Sequence, residues 1–97
     1  MTGGRRKRLE WSERALRQLA AQFEYVIANR LAQPEAVRQR LERALTLLQE
    51  NPRIGVPGRR AGTRELPVKD TPLTLIYRDR PRKIQILAVV HQRQFYR

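Results

Sequence analysis

The sequence predicts an α+β fold in which one strand, an antiparallel helical hairpin and a three-stranded antiparallel meander follow one another (β-α-α-β-β-β). Three observations favour this fold. Apolar residues recur with helical period in the first half of the chain, a segment with three Gly and one Pro follows over 54–62, and apolar and polar residues alternate from 63 onward. The 97 residues, 40% of them apolar, suffice for one domain with a single core.

The first strand and the first helix are predicted from residues 9–31. Residues 9–11 alternate between apolar and polar and predict a short strand. The hydroxyl of Ser12 can cap the free amides of a helix start, and Glu13 complements the positive end of the helix dipole. Apolar residues then recur at spacings of three and four along a helix of about five turns, and this stripe is expected to pack on the sheet. Its members are Leu16, Leu19, Ala20, Phe23, Ile27 and Leu31.

A second helix is predicted from Pro34 to the Asn51-Pro52 pair. Proline is favoured at the first helical position, and Glu35 follows at the positive end. An apolar stripe along this helix is expected to face the same core, which makes the two helices an antiparallel hairpin. The stripe consists of Val37, Leu41, Ala44, Leu45 and Leu48.

Three strands are predicted in the C-terminal half, over 63–68, 73–78 and 83–93. Pro67 cannot donate a backbone hydrogen bond, so the first of these strands is expected at a sheet edge. The last strand is the longest and is apolar on both faces, which predicts a central position. One face would carry Ile84, Ile86, Ala88 and Val90, and the other Leu87 and Val89.

Charge is distributed unevenly along the chain. Lys and Arg number 21 against nine Asp and Glu, which gives a net charge of +12. Residues 1–8 carry +4 and are interpreted as a basic flexible arm, whereas residues 9–97 form the single folded domain. Within that domain, 9–51 balance to zero and 52–97 carry +8. Such a field suits nucleic acid, an acidic protein segment or an anionic membrane, and charge alone does not distinguish among them.

Composition excludes several classes of function. The chain has no cysteine and one histidine, so it offers no disulfide, no thiol nucleophile and too few ligands for a structural zinc site. It has no phosphate-binding glycine motif, and neither a metal nor a cofactor is expected. The longest apolar run, 86–90, has five residues against the ~20 that cross a bilayer. Residues 1–9 lack a signal-type segment, and together these features predict a soluble, cytoplasmic protein.

The end of the last strand carries the sharpest local feature of the sequence. His91 and Arg93 share a face by the two-residue period and emerge together where the apolar pattern ends. With Arg64 and Arg78 they can form a cationic site in which His91 transfers a proton and the arginines stabilise phosphate charge. Whether they meet depends on strand register, which sequence does not determine. Alternatively, His91 is a half-buried strand end and each arginine is a surface ion-pair partner.

Two further groups of residues are candidates for partner binding. Phe95 and Tyr96 follow Arg93 beyond the last strand and combine aromatic with cationic side chains, which suits contact with protein or nucleic acid. Tyr25 and Leu47 fall off the two helical stripes. Their position predicts an exposed apolar groove on the hairpin or, alternatively, scattered surface residues.

Five short strings occur in an order and at separations that are typical of one toxin superfamily. They are LEWSERALRQL (9–19), NPRIG (51–55), GTREL (62–66), LIYR (75–78) and AVVHQRQF (88–95). Together they make residues 9–96 resemble the RelE/ParE superfamily of bacterial toxins from toxin–antitoxin pairs, and the ParE branch in particular. The fold of that family, a small antiparallel sheet that carries a helical hairpin, agrees with the prediction from periodicity.

The resemblance to ParE-like toxins implies a binding protein and not an enzyme. Such toxins poison DNA gyrase, and an acidic, partly disordered antitoxin segment of ParD-like type wraps and neutralises them. The resemblance therefore implies an antitoxin and gyrase as partners, contact with nucleic acid through the complex, and no membrane. The family strings include Gly62 to Leu66, Tyr77, Arg78, His91 and Arg93. The candidate partner-binding residues are Arg64, Arg78, His91, Arg93, Phe95, Tyr96, Tyr25 and Leu47.

The RelE branch provides the alternative function, a metal-independent endoribonuclease that cleaves mRNA on the ribosome. Under it, His91 would transfer a proton, and the three arginines named with it above would bind phosphate. The sequence departs from that branch, because Arg59 and Arg60 stand where a lysine pair is expected and the chain ends before a C-terminal helix and late tyrosine. A generic basic nucleic-acid-binding domain would explain the charge but not the strings.

Overall fold

A computed structural model describes residues 6–91 and contains one five-stranded sheet and two helices. The helices are α1 (Glu13–Ala28) and α2 (Pro34–Glu50). The strands are β1 (Arg8–Trp11), β2 (Val56–Pro57), β3 (Arg64–Pro67), β4 (Leu73–Asp79) and β5 (Lys83–His91). Three of the candidate site residues, Arg93, Phe95 and Tyr96, lie outside the described residues.

The strands lie in the order β1-β5-β4-β3-β2, with β1 parallel to β5 and the other neighbours antiparallel. This order confirms the predicted α+β class and the central position of β5. The two-residue strand β2 lies in the segment predicted as a loop, and it covers the outer side of β3 at Arg64 and Glu65. The prediction of β3 as the edge strand is therefore wrong. Strand β2 pairs with β3 at Arg64 and Glu65 and does not extend to Pro67. At Pro67 the paired neighbour of β3 is β4 alone, which is compatible with a residue that has no backbone N–H.

One buried cluster joins both helices to a single face of the sheet. On β4 the alternate residues Leu73, Leu75 and Tyr77 are fully buried and form the centre of this face. Helix α2 begins at Pro34 as predicted, and its predicted stripe supplies the buried residues Val37, Leu41, Ala44 and Leu48. We call this side of the sheet the helix-covered face and the other side the open face.

The stripe of α1 that was predicted to pack on the sheet is mostly exposed. The buried residues of α1 are Ala15 and Val26, and the partly buried Leu19 and Phe23 also pack against the core. The exposed side, here called the outer stripe, consists of Leu16, Ala20, Phe23 and Ile27, of which Phe23 is half-buried. Two apolar stripes about 100° apart thus share α1, and the one with Ala15 and Val26 faces the core.

A β-bulge at Leu87 changes the face on which the later residues of β5 lie. The pairing register between β4 and β5 shifts by one residue there, so β5 has one more residue than its partner. The prediction that Ala88 and Val90 share the face of Ile86 is wrong for that reason. The helix-covered face carries Ile84, Ile86, Val89 and His91, and the open face carries Leu87, Ala88 and Val90.

Side chains of α1 bond to the backbone groups beside the bulge. The Ser12 hydroxyl donates to the Leu87 carbonyl oxygen at 3.1 Å and accepts from the Ala15 N–H at 2.9 Å, which confirms Ser12 as the helix cap. The Gln18 side-chain oxygen accepts from the Val89 N–H at 2.9 Å. These bonds hold one side of α1 against β5, and that side carries Ala15.

The described end of the predicted arm is tied to the domain. Lys7 Nζ lies 2.6 Å from Asp79 Oδ1, and Arg6 forms a 3.0 Å ion pair with Glu50. Strand β1 begins at Arg8, so the folded part starts within the range predicted as an arm. No helix within 6–91 has both the length and the hydropathy that a membrane span needs.

Candidate partner-binding surface

The open face of the sheet holds a shallow cavity of about 230 Å³, here called the open-face cavity. Its floor is apolar and consists of Ile76, Leu87, Ala88 and Val90. Its rim is cationic and consists of Arg14, Arg59, Arg60 and Arg78, with Thr63 and Glu65 beside them. The described part of the chain thus presents four guanidinium groups around an apolar patch, which suits a partner that carries both carboxylates and apolar side chains.

The bulge creates much of the floor of this cavity. In a regular strand Leu87 and Ala88 would lie on opposite faces, but the extra residue in β5 places both of them on the open face. On β4, Ile76 and Arg78 alternate with the buried Leu75 and Tyr77 and reach the same side. The floor is therefore set by the pairing of β4 with β5.

Hydrogen bonds from β3 and its approach hold the loop that carries the arginine pair. The Glu65 carboxylate accepts from the Arg59 N–H at 3.1 Å, and the Thr63 hydroxyl donates to the Arg60 carbonyl oxygen at 2.7 Å. The Gly58 N–H donates to the Thr63 carbonyl oxygen at 2.7 Å. The one carboxylate on the rim of the cavity is thus bonded to the loop backbone, and Arg59 and Arg60 are held beside the apolar floor.

Arg78 lies over a glycine whose conformation leaves room for it. Gly62 has φ of +79°, in the left-handed region that glycine adopts readily, and a Cβ there would come within 2.6 Å of Arg78 Nη1. The same Nη1 donates to the Ala61 carbonyl oxygen at 3.3 Å. The absence of a side chain at Gly62 therefore lets the guanidinium lie along the loop at the cavity rim.

Arg64 lies on the helix-covered face and not beside Arg78. It pairs directly with Tyr77 of β4, whose side chain is buried under the helices. Its guanidinium donates to the Gly55 carbonyl oxygen at 2.6 Å and to that of Arg53 at 3.4 Å. The structure thus gives Arg64 a role in holding the loop after α2.

His91 also lies on the helix-covered face, where it meets Tyr25. It pairs with Leu73 at the start of β4, and its imidazole is partly buried. The rings of Tyr25 and His91 are 6.1 Å apart between centroids and inclined at 81°, an edge-to-face contact. Two of the candidate partner-binding residues therefore form one aromatic patch, with the Tyr25 side chain about half exposed.

The three described members of the alternative nuclease site do not converge. Arg78 is on the open face, whereas Arg64 and His91 are on the helix-covered face. Arg64 and His91 are separated by four residues along β4, or about 13 Å, because they pair with Tyr77 and Leu73 respectively. The strand register, which the sequence did not determine, thus places these three residues apart.

The phenol of Tyr77 holds a loop by two hydrogen bonds. Its hydroxyl accepts from the Gly55 N–H at 2.9 Å and donates to the Pro52 carbonyl oxygen at 2.8 Å. Burial raises the pKa of this phenol above its ordinary value. Within residues 6–91 there is also no group of three His, Asp or Glu placed to hold a metal ion.

Leu47 lies in a second groove, between α2 and the turn that follows β3. This α2 groove has a volume of about 150 Å³, and Leu47 is 47% exposed within it. Tyr25 does not line it, so Tyr25 and Leu47 do not share the single groove predicted on the hairpin. Its other lining residues are Arg40, Arg43, Ala44, Leu66, Pro67, Lys69 and Asp70.

Sequence reasoning missed most of the open-face cavity. The site residues predicted from the sequence include neither Arg14 nor the pair Arg59 and Arg60. Adjacent arginines within a three-glycine segment are a sequence pattern that could have indicated a basic loop. The position of Leu87 on the floor had no such pattern, because the bulge depends on pairing between strands.

Comparison with known proteins matches nearly the whole chain to one family. Residues 9–96 match the model of a family described as the ParE toxin of the type II toxin–antitoxin system parDE. A curated relative from Sinorhizobium fredii (strain NBRC 101917 / NGR234), which carries the toxin name Y4kP, is 38% identical over 89 residues. The aligned region covers 92% of each of the two chains.

Two solved toxin–antitoxin systems share the fold. A chain from the chromosomal ParDE system of P. aeruginosa superposes with a TM-score of 0.75 at 24% identity, over 91% of this chain and 98% of that one. A chain from the DinJ-YafQ toxin–antitoxin complex of E. coli gives a TM-score of 0.60 at 16% identity, over 95% and 99%. At these identities the structural similarities establish the fold alone.

Proposed function

The chain belongs to the ParE toxin family of type II toxin–antitoxin systems, and on that premise we propose that it inhibits DNA gyrase by binding and is neutralised by a cognate acidic antitoxin. It acts in the cytoplasm as a binding protein, without catalytic residues of its own. The observation that carries this proposal is the open-face cavity, in which four arginines surround an apolar floor.

The chemistry of the open-face cavity favours binding over catalysis. The only histidine of the sequence is on the other face of the sheet, and the Glu65 carboxylate is bonded to the Arg59 N–H. Arginine forms strong paired hydrogen bonds with carboxylates, and the apolar floor adds burial for neighbouring side chains. An acidic segment with apolar residues therefore fits this surface.

The distribution of charge supports an antitoxin that orders on binding. Residues 52–97 carry +8, so an acidic, partly disordered segment would be attracted over much of the C-terminal half. Such a segment loses conformational entropy when it folds on its partner, and charge pairing together with apolar burial offsets that cost. We expect the antitoxin to cover the open-face cavity and thereby to keep the toxin inactive.

The test is a plasmid supercoiling assay with purified gyrase and ATP. Loss of supercoiling with linear plasmid that appears only when both gyrase and the folded chain are present would support the proposal. Linear plasmid without gyrase, or no effect at a large excess of folded chain, would contradict it. The chain without gyrase and gyrase without the chain serve as controls.

A parallel assay with translating ribosomes distinguishes the alternative endonuclease. Specific mRNA fragments would establish the RelE-type activity, and loss of the proton-transfer group in His91→Gln should then slow cleavage about 10²–10⁴-fold. A gyrase-binding toxin should instead retain most of its activity in His91→Gln, because His91 lies away from the open-face cavity. Arg78→Gln is compared with His91→Gln in both assays, because it removes a guanidinium group from the rim of the open-face cavity.

A further inference from the structure

The outer stripe of α1 is an apolar helix face that the described part of the chain leaves largely uncovered, although Phe23 also packs partly against the core. Leu16 and Ile27 are 51% and 56% exposed, and Leu31, which follows just beyond the helix, is 54% exposed. The spacing of the stripe residues, four, three and four, keeps them on one side of the helix. Apolar residues exposed in a continuous row are typical of a surface that contacts another protein.

The charge around this stripe differs from that of the C-terminal half of the chain, where residues 52–97 carry +8. Helix α1 contains two glutamates and two arginines, whereas the whole chain carries +12. Glu13 and Arg17 also form an ion pair at 3.9 Å. An acidic partner therefore gains little electrostatic attraction at α1, and a second copy of the same basic chain meets little repulsion there.

The residues of the stripe are also complementary to themselves. In a two-fold antiparallel arrangement centred between Ala21 and Gln22, each position lies opposite one equally far from the centre on the other helix. Leu16 then lies opposite Ile27, and the small Ala20 leaves room for the part of Phe23 that its own core does not cover. We infer that the outer stripe is the interface of a homodimer in which two copies of α1 pack antiparallel.

The ends of the stripe fit this arrangement as well. The same symmetry brings Glu13, at the start of α1, toward the end of the other helix, after which Arg30 follows. Both residues are exposed, so this pairing adds orientation more than affinity. A parallel arrangement would instead bring Glu13 next to Glu13 and Arg30 next to Arg30.

The dimer is expected to be weak and to leave the open-face cavity accessible. The stripe from Leu16 to Ile27 spans about 16 Å of helix, which is short for an obligate interface. Arg14, which lines the open-face cavity, lies roughly 140° around the helix from the centre of the stripe. Each copy in the dimer would therefore keep its own cavity, and the dimer would present two of them.

Sedimentation equilibrium of the full chain over a wide concentration range tests this inference independently of gyrase inhibition. We expect the mean mass to rise from 11.5 kDa toward about twice that value. Ile27→Gln should weaken association about tenfold or more. Leu47→Gln, which likewise replaces a half-exposed aliphatic side chain on a helix, should leave the association unchanged. Circular dichroism establishes that each variant is folded.

Three outcomes of that experiment would overturn the inference. They are a monomer mass at every concentration, an equal loss of association in Ile27→Gln and Leu47→Gln, and a folded Ile27→Gln that dimerises normally. A monomeric wild-type chain whose binding to the antitoxin is weakened by Ile27→Gln would show that the antitoxin covers the stripe instead.

Cysteine cross-linking tests the antiparallel arrangement, because the natural chain contains no cysteine. Two copies of Ala20→Cys would lie three residues apart along the axis, about 4.5 Å, within reach of a disulfide. Two copies of Ile27→Cys would lie about 16 Å apart, too far for one. We expect rapid oxidative dimerisation of Ala20→Cys only, and equal cross-linking of both variants would contradict the antiparallel packing.

Discussion

The Tyr77 hydroxyl accepts a hydrogen bond from the Gly55 N–H at 2.9 Å, and it donates one to the Pro52 carbonyl oxygen at 2.8 Å. A single buried side chain of β4 thereby holds the loop that leaves α2. Any Cβ at Gly55 would lie only 2.6 Å from the Tyr77 hydroxyl oxygen, so the close approach depends on glycine. The family string NPRIG includes both loop residues, and LIYR includes the tyrosine.

We expect Tyr77→Phe to lower the free energy of unfolding by about 1–3 kcal/mol, because the buried Gly55 N–H loses its acceptor. Urea unfolding at neutral pH measures the change. Tyr25→Phe is the matched control, since the Tyr25 side chain is about half exposed, and it should change stability little. Equal stability of Tyr77→Phe and wild type would show that the two hydrogen bonds contribute nothing net.

Stability should decrease in alkaline solution because burial raises the pKa of Tyr77 above its ordinary value of 10.0. Well below pH 10 the phenol is neutral in both states, so its contribution is fully retained. As the pH rises further, the unfolded chain releases this proton while the folded chain retains it, and the unfolded state is favoured. Urea unfolding at several pH values should show a smaller alkaline decrease in Tyr77→Phe. Equal decreases in both proteins would contradict the assignment to Tyr77.

The parts of the fold that local chemistry determines could be predicted from the sequence. Ser12 caps α1 and Pro34 begins α2 as expected, because each preference depends on the residue and its immediate neighbours. The order of helices and strands followed from hydrophobic period for the same reason. Those predictions required no knowledge of which elements touch.

The candidate site could not be predicted to the same extent, because it depends on pairing between distant elements. The one-residue shift opposite Ile76 and Tyr77 decides which face Leu87 and His91 occupy, and nothing within β5 indicates it. The prediction of which side of α1 faces the core was wrong for a related reason. The helix has two apolar stripes, and contact with β5 determines which of them is buried.

Ser12 should be more important than an ordinary helix cap, because its hydroxyl bonds to both α1 and the bulge of β5. Ser12→Ala would remove the acceptor for the Ala15 N–H and the donor to the Leu87 carbonyl oxygen. We expect a loss of about 1–2 kcal/mol in the free energy of unfolding. Ser12→Thr retains the hydroxyl and should lose less in the same thermal or urea measurement. Similar losses in both variants would indicate that packing, not hydrogen bonding, is affected.

The rim of the open-face cavity should control affinity for the antitoxin. Arg78→Gln removes one guanidinium from the rim while the apolar floor remains, and we expect the Kd for the cognate antitoxin to rise about tenfold, or ~1.4 kcal/mol. Calorimetry at two salt concentrations measures this change, and the Arg78→Gln complex should depend less on salt than the wild-type complex because one charge pair is lost.

Arg38→Gln is the matched control for that substitution. Arg38 is an exposed arginine of α2 whose guanidinium forms ion pairs with Glu35 and Glu42, away from the open-face cavity. Its removal changes the net charge by the same amount as Arg78→Gln, so a loss of affinity that depended only on total charge would be equal in the two variants. We expect the affinity of Arg38→Gln to remain close to that of the wild type, because under the proposed binding mode the antitoxin carboxylates would pair with specific guanidinium groups on the open face.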